Sequence, residues 1–338
     1  MWVDPADAAA AQRRLWSADE ASLTAMVPCY NEEACVERAY REIADQLQGF
    51  EDCEILFVDD GSTDGTLELI KSFARSDKRV KYISFSRKFG LEAAFSAGFR
   101  YAGKQWTVQL DADLQSPPHE LHKLLDKALE GYDIVFGVRV DRRDPWVRRI
   151  GSQGNAAIAG RLLGIALPPR ASVFRVARTS VARRIVTMDL RSPYFIATAP
   201  LIGARLASVP TAHQPRAAGL PKWNMARLVS HVSDLWIGFS TRPLRAVSWC
   251  AALLAVVSLV MVVLLAAGAV GATGIAVTAL AVDTATLLGL GVLLLYAVPV
   301  LRVRARMPQY LVRESNIAID PADDLYGSDR RQEASVVA

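Results

Sequence analysis

Short apolar runs alternate with amphipathic stretches along the chain from Ser22 to Arg139. Leu23–Val27, Glu54–Val58, Val80–Phe85, Trp106–Leu110 and Ile134–Gly137 have the length and composition of buried strands. Between them, Glu33–Leu47, Gly65–Arg75, Leu91–Ala102 and Pro117–Glu130 read as amphipathic helices. Pro117 and Pro118 suit a first helical turn, and Gly131 suits a stop. Such alternation predicts an α/β domain, a mainly parallel sheet with helices on both faces. Beyond Arg139 the pattern loosens, and Arg-rich helices are expected there.

The pattern changes again near the far end. From Ala246 to Val270 the chain is apolar and carries no charge over 25 residues. That exceeds the roughly 20 residues needed to cross a bilayer core. After Gly271-Ala-Thr-Gly274, a second apolar stretch, about 275–301, contains one acid, Asp283. The pair predicts a transmembrane two-helix hairpin. Arg242 and Arg245 precede it, Arg302, Arg304, Arg306 and Arg313 follow it, and the turn has no Lys or Arg. The positive-inside rule then puts both flanks, and the α/β domain, on the cytoplasmic side of the inner membrane. Five regions result: a loose tail at 1–21, the α/β domain at 22–215, a basic loop and juxtamembrane helices at 216–245, the hairpin at 246–301 and a cytoplasmic tail at 302–338.

Charge sharpens this picture. The net charge of +4 hides a cluster of eleven arginines between Arg139 and Arg184, opposed only by Asp141 and Asp144. Beside two apolar spans, such a cluster points to anionic lipid or phosphorylated substrates rather than to nucleic acid. Cys29, Cys35, Cys53 and Cys250 form no Cys-x-x-Cys pair and read as small apolar residues in a reducing compartment. The first 20 residues hold six charges and no apolar core, so they are not a secretory signal.

Candidate chemistry gathers where strands end, which is where open α/β sheets bind ligands. Asp111-Ala-Asp113 follows the fourth strand. Two carboxylates one residue apart can hold a divalent cation whose shell phosphate oxygens complete. After the first strand comes Pro28-Cys-Tyr-Asn-Glu-Glu33. There Pro28 limits the backbone, Tyr30 offers a flat ring and Glu32 an acceptor for base and ribose. After the second comes Asp59-Asp-Gly-Ser-Thr-Asp-Gly-Thr66, where Asp59 or Asp60 can accept from a nucleoside and Gly61 allows a sharp turn. His119 and His122 lack a third ligand and read as a helix face. No G-x-x-x-x-G-K-[ST] or G-x-S-x-G is present, so ATP hydrolysis and acyl transfer lack their motifs.

These residues together resemble the polyprenyl-phosphate sugar synthases, inverting glycosyltransferases of GT-A type in family 2. The resemblance runs from Val27 to about Arg313 through VPCYNEE, VDDGSTDGT, SRKFGLEAAFSAGFRYA, LDADLQSPP, EGYDIVFGVR, FSTRPLR and RARMPQYLVRE. It implies a GT-A, Rossmann-like cytoplasmic domain with the membrane hairpin. It also implies nucleotide contacts at Pro28, Tyr30, Glu32 and Ala112, with Asp59 or Asp60 at the base. By the same resemblance, Asp111 and Asp113, helped by Gln115, hold the diphosphate with Mg²⁺ or Mn²⁺, and Arg139 meets a phosphate. Arg87 and Lys88 line the sugar side. Arg175, Arg216 and Lys222 serve donor and acceptor phosphates. The implied partners are a nucleotide-sugar donor (UDP or GDP), a polyprenyl phosphate and the inner leaflet, with a homo-oligomer joined through membrane segments.

The chain departs from that family at three places. Asp-Phe-Arg becomes Val173-Phe174-Arg175, Glu-Arg becomes Asp189-Leu-Arg191, and Gly-Glu-Tyr becomes Leu294-Leu295-Tyr296. All three leave the nucleotide half intact and bear on the acceptor side. Two other readings stand beside the first: a transferase that extends a glycan directly, and a degenerate domain serving as a membrane scaffold. A processive synthase would show Q-x-x-R-W near the membrane, and the chain has none there.

Overall fold

The computed structural model describes residues 17, 20–139, 171–188, 195–212, 242–267 and 308–326, together with parts of 271–297. In chain order the elements are β1 (Leu23–Cys29), α1 (Val36–Gln46), β2 (Cys53–Asp59), α2 (Thr66–Ser76), β3 (Val80–Phe85), α3 (Leu91–Tyr101), β4 (Trp106–Gln109) and α4 (Leu121–Leu129). There follow β5 (Ile134–Arg139), β6 (Ala171–Arg178), α5 (Thr179–Val186), α6 (Phe195–Leu201), β7 (Leu206–Thr211), α7 (Arg242–Ala266) and β8 (Val312–Ser315). The expected strands and helices before Arg139 all form. Pro118–Glu120 makes a 3₁₀ turn ahead of α4, and α1 starts at Val36, because residues 30–33 are used in a loop.

One mixed sheet joins the strands in the order β7-β5-β6-β4-β1-β2-β3-β8. The β1–β2, β1–β4, β2–β3 and β5–β7 pairs are parallel; β6 and β8 run antiparallel to their neighbours. The mostly parallel α/β sheet expected of the GT-A type is therefore present. Beyond Arg139 the expectation of Arg-rich helices needs correction. Ala171–Arg178 is a strand, and only Thr179–Val186 within that arginine cluster is seen as helix. Arg175 disguised the strand: it is buried within it, 3% exposed, where an apolar residue would normally stand.

Each face of the sheet has its own core. Ile43 of α1, Phe73 of α2 and Leu125 of α4 pack on Val27, Phe57 and Val108. On the other face, Phe95 and Phe99 of α3, Ile185 of α5 and Phe195 of α6 pack on Met26, Val58 and Phe136. Strands covered on both sides must be apolar throughout, and all seven residues of β1 are buried. α3 comes closest at Gly98, where a Cβ would collide with Met26 Sδ.

Residues 308–326 return to the sheet. β8 pairs with the edge strand β3, placing Ile83 opposite Ser315. Tyr310 stacks on Phe85 at 4.9 Å between centroids. The Asp323 carboxylate accepts from Tyr101 Oη at 2.6 Å and Tyr310 Oη at 3.0 Å. Part of the expected cytoplasmic tail is thus a structural strap. The side chains of α7 are described only in part, and among the described residues no helix is long and apolar enough to cross a membrane. The hairpin over 246–270 and 275–301 is therefore not confirmed.

Gly98→Ala is expected to lower stability by about 1–3 kcal/mol, the usual cost of overpacking. Much of that loss should return when Met26 is shortened to Ala in the same chain. Urea denaturation of the four proteins of that cycle would check it, and additive losses would contradict the contact.

Candidate active site

Register brings the loops together. β1 and β2 pair from Leu23↔Cys53 to Cys29↔Asp59, so their carboxyl ends stop level. β1 and β4 pair through Met26↔Gln109, and Leu110 N–H still donates to Met26 O at 3.0 Å. The chain segments that follow, 30–33, 60–66 and 111–116, therefore leave the sheet side by side.

The first two of those segments tie one another down, and the second is tied to the loop after β3. Asn31 N–H donates to Ser62 Oγ at 3.0 Å, while Asn31 Oδ1 accepts from Thr63 N–H at 2.9 Å. Glu32 N–H donates to Thr66 Oγ1 at 2.9 Å. Asp60 N–H donates to Cys29 O at 2.8 Å, and its carboxylate accepts from Phe89 N–H at 2.6 Å and Gly90 N–H at 3.0 Å. Gly61 has φ +70°, and a Cβ there would stand 2.5 Å from the Arg87 carbonyl carbon. Only glycine lets these two loops approach so closely.

A cleft of about 330 Å³ opens between them. One wall carries Pro28, Tyr30, Glu32, Asp60 and Lys88. The other carries Asp111, Ala112, Asp113, Gln115 and Val173. Lys88 Nζ lies 3.2 Å from the centre of the Tyr30 ring, a cation–π contact that sets an ammonium at the cleft. Leu114 has φ +55° and is buried, so its side chain anchors the turn while Asp113 and Gln115 are presented to the cleft. Asn31 also has φ +55°. Positive φ outside glycine costs about 1–3 kcal/mol and collects at functional loops.

Nine of the expected site residues thus meet in one place. Asp59 does not line the cleft: it is fully buried, accepting from Ser62 N–H at 3.0 Å and Ser84 Oγ at 2.7 Å. Arg87 turns aside, its guanidinium 4.2 Å from the Phe89 ring centre. Arg175, expected among the phosphate and acceptor contacts, lies under the floor, packed by the rings of Phe95, Phe99 and Phe195. Burial draws its pKa down to about 10 against the pull of Glu92 and Asp111, so it stays charged at neutral pH. Arg139 ends β5, but its side chain, like all of Arg216 and Lys222, lies outside the described residues. Asp189, Arg191, Leu295 and Tyr296 lie outside them too.

Residues 24–187 match the family model described as Glycosyl transferase family 2. An uncharacterized glycosyltransferase of Synechocystis sp. is 33% identical over 239 residues, 70% of this chain and 75% of its own length. The undecaprenyl-phosphate 4-deoxy-4-formamido-L-arabinose transferase of Edwardsiella ictaluri is 32% identical over 236 residues, 69% of this chain and 73% of its own. The chain belongs to glycosyl transferase family 2.

The motif resemblance to polyprenyl-phosphate sugar synthases is borne out by the second of these relatives. A glucosyl-3-phosphoglycerate synthase of Mycobacterium tuberculosis, solved with Mn²⁺, UDP and glucosyl-3-phosphoglycerate, covers 72% of this chain and 86% of its own. Its TM-score is 0.49 at 16% identity, a likeness too distant to bear on donor or metal.

Among the described residues of this family 2 glycosyltransferase, no three His, Cys, Asp or Glu side chains are grouped to hold a metal unaided. The candidate donor set is instead the Asp111 and Asp113 carboxylates with the Gln115 amide oxygen, all hard ligands that line one cleft. That set fits Mg²⁺ or Mn²⁺ whose remaining positions are filled by water and phosphate. His119 is exposed and His122 stacks on Phe50, at 6.0 Å between centroids, as part of a helix face. The positive φ of Asn31 and Leu114 had no signature in the residue pattern. Gln109, buried beneath Asp111, had a faint one: a polar residue inside an apolar run.

Burial raises the Asp60 pKa above its ordinary 3.8, against the lowering effect of the Phe89 and Gly90 amides. Its contribution to stability is therefore full below pH 3.8 and is lost as pH climbs through the raised value. Asp60→Asn keeps an oxygen for the two amides and removes that loss. Its melting midpoint relative to wild type is expected to rise from acid to neutral pH. A difference that is constant or shrinks over that range would contradict this.

Proposed function

We infer that this glycosyltransferase moves a sugar from a nucleoside diphosphate donor to the phosphate of a polyprenyl carrier, inverting the anomeric centre. The observation that carries this reading is the single cleft in which Tyr30, Glu32 and Asp60 face Asp111, Asp113 and Gln115, with Lys88 beside them. The first group suits base and ribose. The second suits a diphosphate with a divalent cation, and Lys88 adds a positive charge where phosphate would lie.

Asp111 and Asp113, with Gln115, would hold Mg²⁺ or Mn²⁺. When bound, that cation supplies a Lewis acid beside the departing diphosphate. In the transfer, an oxygen of the acceptor phosphate forms a bond to the sugar C1 from the face opposite the donor. The C1–O bond to the diphosphate breaks, and its electron pair leaves with the nucleoside diphosphate. Lys88, and the buried charge of Arg175 below, favour the growing negative charge. A phosphate monoester, with a second pKa of about 6, is already anionic at neutral pH. No strong base is then required, which suits Val173 at the cleft wall.

The polyprenyl acceptor is supported by the printed name of the Edwardsiella ictaluri relative. A membrane seat is supported by the charge-free sequence of 246–270, and by Trp249, Leu253, Leu259 and Val263, which α7 leaves exposed. Together with the flanking arginines, these features favour a cytoplasmic catalytic domain anchored at the inner leaflet by the 246–301 hairpin. Arg139, Arg216 and Lys222 remain candidates for the donor and acceptor phosphates on the motif resemblance.

Asp113→Ala is expected to reduce transfer by about a hundredfold or more. As a partly exposed loop change, it should shift stability by no more than about 1 kcal/mol. Incubating the purified protein with a panel of UDP- and GDP-sugars and a short-chain polyprenyl phosphate, followed by mass spectrometry of the lipid, tests the transfer, and denaturation of variant and wild type tests the stability. Glycosyl phospholipid from wild type and none from the variant is the expected result. Undiminished product from Asp113→Ala, or wild-type transfer to glycan alone, would reject this reading.

A further inference from the structure

Across the middle of the sheet, on the face covered by α3, one cross-strand row reads Met26, Gln109, Arg175, Phe136. Its ends are apolar and fully buried. Its centre is an amide and a guanidinium. Gln109 is 0% exposed, and neither its Nε2 nor its Oε1 has a hydrogen-bond partner. Arg175 Nε, on the residue directly across the ladder, also has none. Buried polar groups left unpaired are expensive, and an aliphatic residue at 109 would serve packing better.

The place of this row in the fold accounts for it. β4 and β6 are antiparallel, so two residues beyond the Gln109↔Arg175 pair the register leads to Asp111 and Val173, both on the cleft wall. The polar pair therefore forms the layer directly under the cleft floor. Phe95, Phe99 and Phe195 surround the guanidinium at 4.3–5.7 Å. Their ring faces attract the cation but offer it no hydrogen-bond acceptor. Its nearby anions are Glu92, one turn before Phe95 on α3, and Asp111. Local rules broken inside an otherwise consistent core mark functional sites more often than accidents.

We propose that Gln109 and Arg175 form a buried polar layer that positions the Asp111 carboxylate for nucleoside diphosphate binding, with Gln109 as the positioning residue. This rests on the donor reading above. Gln109 stands beside the guanidinium and limits where it can turn. The guanidinium in turn favours one orientation of Asp111 and adds positive charge beneath the diphosphate.

The test uses the full chain in detergent, titrated calorimetrically with UDP and with GDP in the presence of Mg²⁺, and melted without nucleotide. Gln109→Leu and Gln109→Met remove the amide at similar volume. The melting midpoint should hold or rise, because the unpaired amide is gone, while nucleotide affinity falls about tenfold. Wild-type affinity in both variants overturns the proposal. So does weakened binding found only in a variant whose midpoint also drops. Should wild type bind neither nucleotide, the donor reading fails and the proposal falls with it; Gln109 variants that bind normally leave that reading intact.

Discussion

Backbone amides that lose their strand partners at the ends of β1, β2 and β3 must find acceptors, and the cleft is built on how they do so. Asp60 is the centre of that exchange. Its own N–H goes to Cys29 at the end of β1, and its carboxylate takes two amides from the loop after β3. Asn31, Glu32 and Glu33 make a second set of bonds to 62–66. Each is worth only about 0.5–1.5 kcal/mol net, but leaving such groups buried and unpaired costs more. The three loops thus hold one geometry because no one of them can move without stranding the polar groups of another.

Much of this was legible from the residue pattern, for a definite reason. Strands covered by helices on both faces must be continuous apolar runs, so β1 to β5 stood out against the amphipathic segments between them. Carboxylates at the tips of such strands can only converge, since parallel register levels the ends; hence Asp60, Asp111 and Asp113 could be named together. Three things stayed hidden. β6 carries Arg175 at an inward position, which breaks the apolar run by which a strand is recognised. β7 and β8 are short edge strands with exposed positions, and edges need no such run. Asp59 and Asp60 are chemically alike in the sequence; only the fold separates the one buried behind Ser84 from the one that faces the cleft.

The floor and the rim of the cleft are specified by different means. At the rim, Asn31 and Leu114 hold strained backbone, tolerable because Thr63 fastens the first and a buried side chain fastens the second. Beneath the floor, aromatic rings confine a guanidinium whose charge two carboxylates sustain. A polar cleft over a charged layer asks the core to carry groups that packing alone would exclude. The adjoining rows of phenylalanine and alanine on α3 supply the compensating apolar contact.

The edge pairing of β8 with β3 bears on how the enzyme can be handled. Cutting the chain ahead of the apolar stretch to obtain a tractable catalytic fragment would also discard Val312–Ser315 and the Tyr310 ring. The freed margin of β3 would then offer its amides and carbonyls to other molecules, an invitation to aggregate. Any shortened version of this transferase must keep 308–326 joined to the α/β domain.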